Sequence, residues 1–543
     1  MSNIGLVSRR SFFGSLTVGV AILSATGRSH SQEVLRSWVI QGALGDVDSI
    51  PDLDGDGFRE IVVGRIWYPA PGGPGQVYAI SGLAGTTLYS YTATTGSELG
   101  YPLATVGDVN GDGFPDFGAG SLGGMAWLFD GRNGSVLLQR RASTGSVVSI
   151  GDVNGDGMGD VLFSGGTLSI VPGNGGSASV YLGGSLELFY TIDAPSFARN
   201  FGWSSVALGD VDSDGVGDFA IGAPGLYGQL YSSGYVFVYS GRDGRLLHDL
   251  LSSACKGEEE FGFRLAAPGD LTGDRICDLA VGAPKCNGAQ GPGRLYLFDG
   301  RTGDLISMVD PPPLYVGLGY QVEAVGDVNG NGYGDLILGS LLKYNLNPYS
   351  ASFETWVMDG ETRETIFVIP AFSTPDPVGN NIDWNGDDFP DFLMRPSKLE
   401  LRSGAPTGVS VLGTACPSAA DRIPRIGATG MAVIGEDYPV HLSRVRPNVA
   451  GFLAVGTAPV TRSAFPGVTG RGSTCPLLVA PTTIYPTRTR EIRPGEGVAT
   501  VEIPIQNDPS LQGTTFYAQW LVMDEEDELS LAASTRMLEI QIQ

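Results

Sequence analysis

The stretch DVDSDGVGD, residues 210–218, places aspartate at positions 1, 3, 5 and 9 of a nine-residue loop. The small residues between these positions allow the backbone to curl, so that alternate side chains can converge on one centre. Similar loops are DLDGDGFRE from Asp52, DVNGDGFPD from Asp108, DVNGDGMGD from Asp152, DLTGDRICD from Asp270, DVNGNGYGD from Asp327 and DWNGDDFPD from Asp383. Their recurrence at intervals of 44 to 60 residues indicates a repeated structural unit.

Oxygen-bearing side chains at positions 1, 3, 5 and 9 are the ligand set that calcium prefers. An EF-hand would need a glutamate at position 12 and flanking helices, whereas short β-prone runs such as Ile61-Val62-Val63 flank these loops. Asp, Asn and Gly also form turns without metal, but a turn does not require carboxylates at four fixed positions. We therefore predict that the loops bind several calcium ions.

The predicted ligands are the residues at positions 1, 3, 5 and 9 of the seven loops: Asp52, Asp54, Asp56, Glu60, Asp108, Asn110, Asp112, Asp116, Asp152, Asn154, Asp156, Asp160, Asp210, Asp212, Asp214, Asp218, Asp270, Thr272, Asp274, Asp278, Asp327, Asn329, Asn331, Asp335, Asp383, Asn385, Asp387 and Asp391. The loops from Asp52 and Asp210 carry four carboxylates each, so we expect the tightest binding there. The loops from Asp270, Asp327 and Asp383 have neutral ligands or lack a usual glycine, and we expect weaker binding.

The segments around each loop follow one pattern. An aromatic residue or leucine followed by glycine precedes the loop, as in Phe201-Gly202, and a short strand ending in Ile221-Gly222-Ala223-Pro224 follows it. Two more β-prone runs then flank a tight turn, as in FVYSGRDGRLL. Four short strands per unit are typical of one propeller blade, and the seven units predict an all-β, seven-bladed β-propeller.

This succession resembles the FG-GAP repeats of the integrin α-chain propeller, over roughly residues 36–415. All three parts of the repeat are present in the fourth and fifth units, whereas the first, third and seventh keep the loop without a clear FG or GAP element. The resemblance implies that each loop joins the first and second strands of a blade, on the face opposite the one that usually meets ligands. It also implies that the calcium ions are structural.

The N-terminal residues 1–31 have the features of an export signal. Arg9 and Arg10 precede Phe12 and Phe13, and the apolar run that follows is too short to span a bilayer. The paired arginines resemble a twin-arginine signal, and an ordinary Sec signal is the alternative; cleavage could follow Ala25 or Ser31. Without a later apolar stretch of about 18 residues, we expect no transmembrane anchor and a periplasmic, cell-surface or secreted protein.

The repeats stop near Cys416. Alternating strand patterns separated by proline and glycine turns predict a small C-terminal β-sandwich over residues 416–543. Five cysteines in an exported chain favour disulfide pairing, and the natural pairs are Cys255 with Cys286 and Cys416 with Cys475. Cys277, inside a loop, remains as a buried thiol.

The charge balance limits the possible partners. With 58 acidic and 33 basic residues the formal net charge is −25, which repels a phosphate backbone, so we expect no nucleic-acid partner. Long loops between strands carry aromatic residues that suit recognition of a protein or a glycan, although surface residues without a role are the alternative. The candidate ligand contacts are Trp67, Tyr68, Tyr227, Tyr231, Tyr344 and Tyr349.

The sequence favours binding over catalysis. The chain has three histidines, and no GxSxG, HExxH or P-loop motif is present. We predict an exported, monomeric, calcium-binding propeller that binds a protein or glycan or mediates adhesion. The alternatives are a polysaccharide hydrolase or lyase that uses carboxylates of the propeller face, and a purely structural surface protein.

Overall fold

A computed structural model shows a chain built almost entirely of short antiparallel strands. In the described part of the chain the one helix is a short 3₁₀ turn, Pro509–Leu511, and no helix there is long and apolar enough to cross a membrane. The structure describes residues 19–20, 34–39, 43–66, 74–94, 99–121, 124–142, 144–165, 176–225, 234–252, 259–286, 291–344, 351–371, 377–384, 389–394, 399–402, 409–412, 424–429, 432–463, 477–493, 496–523 and 531–543.

Each predicted repeat forms one antiparallel sheet, here called a blade and numbered along the chain. The strands of blades 1 to 3 are Ala43–Ile50, Glu60–Ile66, Gln76–Ile80 and Thr87–Thr92; Leu99–Gly107, Asp116–Ser121, Met125–Phe129 and Val136–Arg141; and Ser146–Gly151, Asp160–Gly165, Ser177–Tyr181 and Leu188–Asp193. Those of blades 4 to 6 are Ser204–Gly209, Asp218–Ala223, Tyr235–Tyr239 and Leu246–Leu250; Arg264–Gly269, Asp278–Ala283, Arg294–Phe298 and Leu305–Val309; and Gln321–Gly326, Asp335–Tyr344, Ala351–Met358 and Thr365–Ala371. Blade 6 has an additional short strand, Tyr315–Val316, which pairs with Asp335–Tyr344 and is not counted in the numbering of its strands.

Blade 7 combines the two ends of the repeat region. Its first three strands are Pro377–Ile382, Asp391–Met394 and Leu399–Arg402, and its next strand is Val34–Val39, which pairs with Leu399–Arg402 and also with Gly19–Val20. The N-terminal strand therefore completes the last blade. The first strand of every blade contacts the first strand of the next, and that of blade 7 contacts that of blade 1, so the sheets form a closed ring. The predicted all-β propeller is confirmed.

Glycines set the close contact between neighbouring blades. A Cβ added at Gly222, in the GAP segment of blade 4, would lie 2.2 Å from the carbonyl oxygen of Gly262, in the FG segment of blade 5. The same contact joins Gly64 to Gly100 at 2.0 Å between blades 1 and 2. The FG and GAP segments thus meet across each of these junctions, where backbone packs on backbone and no side chain fits.

Residues 409–543, here called the C-terminal unit, form two larger antiparallel sheets and one short pair. The first sheet contains Val409–Leu412, Met537–Gln541, Thr515–Met523, Ala450–Gly456, Thr483–Arg488 and Leu531–Ser534. The second contains Arg425–Ala428, Asp437–Val445, Glu496–Pro504 and Arg490–Arg493, and the short pair is Pro459–Ser463 with Leu477–Val479. Both larger sheets contribute to one apolar core around Trp520, which is fully buried. Val409–Leu412, which lies inside the range predicted for the propeller, belongs to this unit.

We expect Gly222→Ala to lower the free energy of unfolding by about 1–3 kcal/mol, because the added methyl overlaps the Gly262 carbonyl. Gly209→Ala is the matched control: its φ of +68 gives strain, yet its Cβ meets nothing within 4 Å. Urea denaturation of both variants measures the difference. If Gly222→Ala is no more destabilised than Gly209→Ala, the glycine contact does not determine how blades pack.

Candidate metal-binding loops

The seven acidic loops all join the first and second strands of their blades, so they lie on one face of the ring. In blades 1 to 6 the position-1 aspartate organises the loop, because its two oxygens accept backbone N–H groups of positions 4 or 5 and 6. In blade 1, Asp52 accepts from Gly55 at 2.6 Å and from Gly57 at 2.8 Å. In blade 4, Asp210 accepts from Asp214 at 2.9 Å and from Gly215 at 2.8 Å.

The carboxylate at position 9 is buried in all seven loops. Its residues, all 0% exposed, are Glu60, Asp116, Asp160, Asp218, Asp278, Asp335 and Asp391. One oxygen of each accepts the backbone N–H of loop position 2 at 2.6 to 2.9 Å. The end of every loop is thus tied back to its beginning.

A glycine in the turn between strands three and four is a site component that the sequence reasoning missed. In blades 2 to 6 its N–H donates to the second oxygen of the position-9 carboxylate at 2.6 to 3.0 Å. These glycines are Gly131, Gly183, Gly241, Gly300 and Gly360. A Cβ at Gly241 would lie 1.9 Å from the carbonyl oxygen of Gly217, so no larger residue fits. The sequence signal that could have revealed these glycines is the recurrence of a glycine after the third strand of each blade.

Among the described residues, carboxylate oxygens converge in the two loops predicted to bind most tightly. Each of Asp52, Asp54, Asp56 and Glu60 offers an oxygen within 4.8 Å of the others. Asp210, Asp212 and Asp218 form a second such group in blade 4. Oxygen ligands clustered at this spacing are compatible with a divalent cation, and loop backbone N–H groups already hold them in place.

Arginines partly neutralise the loops of blades 4 and 5. Arg242 Nε donates to Asp214 Oδ2 at 2.7 Å, and Arg245 and Arg301 pair in the same way with Asp212 and Asp274, at 2.9 and 2.7 Å. Arg242 also holds the pKa of Asp214 below its usual value. All three guanidinium groups are about half exposed, and such surface pairs contribute little to stability. They leave these loops open to a competing cation.

Burial raises the free energy of the ionised form of the position-9 carboxylates. Desolvation raises the pKa of Asp116 and of Asp278 to about 6 and that of Glu60 to about 7, although backbone N–H donors oppose the shift. Desolvation likewise raises the pKa of Asp160 and of Asp218. A bound cation would favour the charged forms, so the donor set fits a metal in electrostatic terms as well.

The loops of blades 5, 6 and 7 differ from the others. In blade 5, Arg275 at position 6 adopts a φ of +71, a left-handed conformation that costs about 1 kcal/mol, and the loop keeps its hydrogen bonds. In blade 6, the side-chain amides of Asn329 and Asn331 donate to Asp359. In blade 7, Asp383 is exposed and Asp391 is buried, while Asn385 and Asp387 lie outside the described residues.

The opposite face of the ring surrounds a polar channel. It has a volume of about 490 Å³ and is lined by the first strands of blades 1 to 6. The charged groups in this lining are Asp46, Asp48, Glu323 and Arg264. Three carboxylates and one guanidinium leave an excess of negative charge in a confined space.

Aromatic side chains form a row beside this channel. The Trp203 and Phe263 rings are 5.6 Å apart between centroids, and those of Phe263 and Tyr320 are 5.3 Å apart. Each directly follows the FG-type glycine of blades 4, 5 and 6, and the residue after each lines the channel. We call Trp203, Phe263 and Tyr320 the aromatic row; all three are half-buried.

Most of the predicted ligand contacts lie outside the described residues, namely Trp67, Tyr68, Tyr227, Tyr231 and Tyr349. Tyr344 is the last residue of the strand Asp335–Tyr344. Cys286 is buried, but Cys255, Cys416 and Cys475 are outside the described residues, so both disulfides remain predictions. Cys277 was predicted to be a buried thiol, but it is only half-buried, and its S–H donates to the Asp278 carbonyl at 3.5 Å.

The family comparisons agree with this architecture. Residues 202–239 match the FG-GAP repeat and residues 52–119 match the FG-GAP-like repeat. The first range runs from the FG glycine of blade 4 through its third strand, and the second contains the loops of blades 1 and 2. Blades 1, 2 and 4 of the ring thus match FG-GAP-type repeats, and the predicted resemblance is confirmed.

Curated relatives extend the similarity to integrin α chains. Integrin alpha-3 of Cricetulus griseus is 30% identical over 172 residues, integrin alpha-5 of Xenopus laevis is 32% identical over 183 residues, and integrin alpha-V of Gallus gallus is 31% identical over 192 residues. Each alignment covers 29–30% of this chain and 16–17% of the relative. This chain thus matches about a sixth of the length of these relatives.

The raised pKa values predict opposite pH responses with and without calcium. In chelator, folded Glu60, Asp116 and Asp278 hold protons more tightly than the unfolded chain does. Their stabilising contribution is therefore present at low pH and is lost as the pH rises through about 6 to 7. Calcium binds the anions and should reverse the sign of the dependence.

The measurement is the melting temperature between about pH 5 and about pH 8, in EDTA and in calcium. We expect the melting temperature to fall with pH in EDTA, and to fall less steeply in Glu60→Gln. Parallel profiles in the two buffers would show that calcium does not engage these carboxylates.

Proposed function

We propose that this protein is an exported, calcium-binding FG-GAP propeller that binds a partner through the face opposite its acidic loops. The observation that carries the proposal is the division of the ring into two chemically different faces. One face carries the converging carboxylates of blades 1 and 4. The other carries the channel and the aromatic row.

The calcium ions in this proposal are structural. The side chains best placed to hold them are Asp52, Asp54, Asp56 and Glu60 in blade 1 and Asp210, Asp212 and Asp218 in blade 4. An ion there offsets the repulsion among clustered carboxylates and stabilises the folded state in proportion to its concentration. The partner surface would depend on calcium only through the rigidity of the blades.

The chemistry of the opposite face favours a protein partner that presents a basic side chain. Aromatic faces and nearby carboxylates both attract an ammonium or guanidinium group, and buried aromatic anchors dominate protein interfaces. The segments that contain Tyr227 and Tyr231 join the second and third strands of blade 4, whose ends lie at this face. We expect these predicted contacts to surround the same site. A glycan that stacks on the aromatic row is the second candidate.

The channel carboxylates suit binding better than hydrolysis. Asp48 accepts the backbone N–H groups of Ser49 and Thr105, both at 2.7 Å, and Asp46 accepts that of Val47 at 3.1 Å. Thr105 belongs to blade 2, so Asp48 links the first strands of two blades. Side chains engaged in this way hold the ring together, and an acid or base in catalysis needs a freer carboxylate.

Export is supported by the N-terminal sequence, whose paired arginines and apolar run are typical of a signal peptide. Calcium in the millimolar range outside the cell would then keep the acidic loops occupied. We propose a periplasmic, surface or secreted location on these grounds.

Screening on immobilised proteins and glycans, with and without chelator, identifies the partner. The double variant Trp203→Ala/Tyr320→Ala should then weaken binding by about tenfold or more, the loss of two aromatic anchors, with unchanged calcium content. Phe189→Ala, an exposed aromatic on the outer strand of blade 3, is the matched control and should bind normally. Binding that survives the double variant and disappears when residues 409–543 are removed would place recognition in the C-terminal unit.

A further inference from the structure

The C-terminal unit packs directly on the acidic-loop face, where it covers the loop of blade 6. A Cβ added at Gly427 would fall 2.0 Å from the carbonyl oxygen of Asn329, so the two backbones touch. A Cβ at Gly332 would fall 2.5 Å from Ile492 and 2.8 Å from Val498. Strands Arg425–Ala428, Arg490–Arg493 and Glu496–Pro504 therefore form a cover over this one loop.

Neighbouring blades take part in the same contact. In blade 5, a Cβ at Gly273 would lie 2.8 Å from the carbonyl oxygen of Ile492. In blade 7, Phe389 belongs to the apolar core of the C-terminal unit. At the edge, Arg490 pairs with Glu361 from the strand-three turn of blade 6. The blade 6 loop is thus at the centre of an interface and not at its margin.

At the blade 6 loop, a guanidinium group supplies the positive charge that a bound ion would otherwise supply. Arg425 Nη1 lies 3.6 Å from Asp327 Oδ2, and both side chains are largely buried. The Arg425 guanidinium also lies over the Phe389 ring, 5.8 Å from its centroid. An arginine held by an aromatic face and a carboxylate carries a fixed positive charge into the loop.

The ligands of this loop also fit a metal poorly. Asn329 and Asn331 are 0% and 4% exposed, whereas the corresponding residues of blades 1 to 5 are half-buried or exposed. Their side-chain oxygens accept loop N–H groups at 3.1 and 2.9 Å. The equivalent side chains of blades 1 to 4 do the same, so the difference lies in burial and in the amide groups. Both amide groups point to Asp359. An ion would have to enter beneath the cover and displace a buried arginine.

We propose that the blade 6 loop is not a calcium site, and that Arg425 replaces the ion there and docks the C-terminal unit on the propeller without metal. This loop keeps the fold of an acidic loop but serves as an internal interface.

Amide hydrogen exchange of the full-length protein tests the inference. The reporters are the N–H groups that donate to position 1: those of Gly330 and Gly332 in blade 6, and those of Asp214 and Gly215 in blade 4. We expect EDTA to accelerate exchange in the blade 4 loop by about tenfold or more, and to change the blade 6 loop by less than about twofold. Equal acceleration in both loops overturns the inference and leaves the calcium proposal intact.

Two variants give an answer that does not depend on calcium. Arg425→Met removes the charge, and we expect the blade 6 loop to exchange about tenfold faster in both calcium and EDTA. Arg444→Met, an exposed arginine of the C-terminal unit, is the control and should leave the loop unchanged. If EDTA changes hydrogen exchange in neither loop, the calcium proposal fails. The Arg425→Met variant alone then tests whether this arginine holds the interface. Unchanged exchange in Arg425→Met would show that this arginine does not hold the interface.

Discussion

The buried carboxylate at the end of each acidic loop is the interaction on which the propeller depends. It ties the loop end to the loop beginning in all seven blades, and in blades 2 to 6 it also binds the turn between strands three and four. Two hairpins of one blade are thereby joined at a single ionisable group. A carboxylate without exposure to water is costly as an anion unless its charge is compensated, so a positive charge nearby stabilises the ionised form of the loop.

Blades 1, 4, 5 and 6 show different ways in which such a charge can be supplied. Blades 1 and 4 bring carboxylates together in a group suited to a divalent cation. Blades 4 and 5 add exposed arginines from the neighbouring turn, which balance charge without closing the loop. Blade 6 has a buried arginine from another part of the chain. The same loop geometry therefore presents either a group of carboxylates suited to a cation or a surface on which another part of the chain packs.

The sequence predicted the parts of the structure that depend on local spacing. The loop at Asp210 reveals its predicted ligands because positions 1, 3, 5 and 9 lie within nine residues, and the periodic repeats reveal the blades. Contacts between distant segments left no such pattern. Pairing of Val34–Val39 with Leu399–Arg402 joins the two ends of the repeat region, and Arg425 reaches Asp327 across about a hundred residues. The aromatic row was visible as an aromatic residue after the FG-type glycine, but only the ring places these residues together.

The most direct test of this account is the position of calcium in crystals grown with the ion, read from its anomalous scattering. The account predicts a peak among Asp52, Asp54, Asp56 and Glu60 and another among Asp210, Asp212 and Asp218, with no peak between Arg425 and Asp327. Loops in blades 1 and 4 that hold no calcium under these conditions would contradict it.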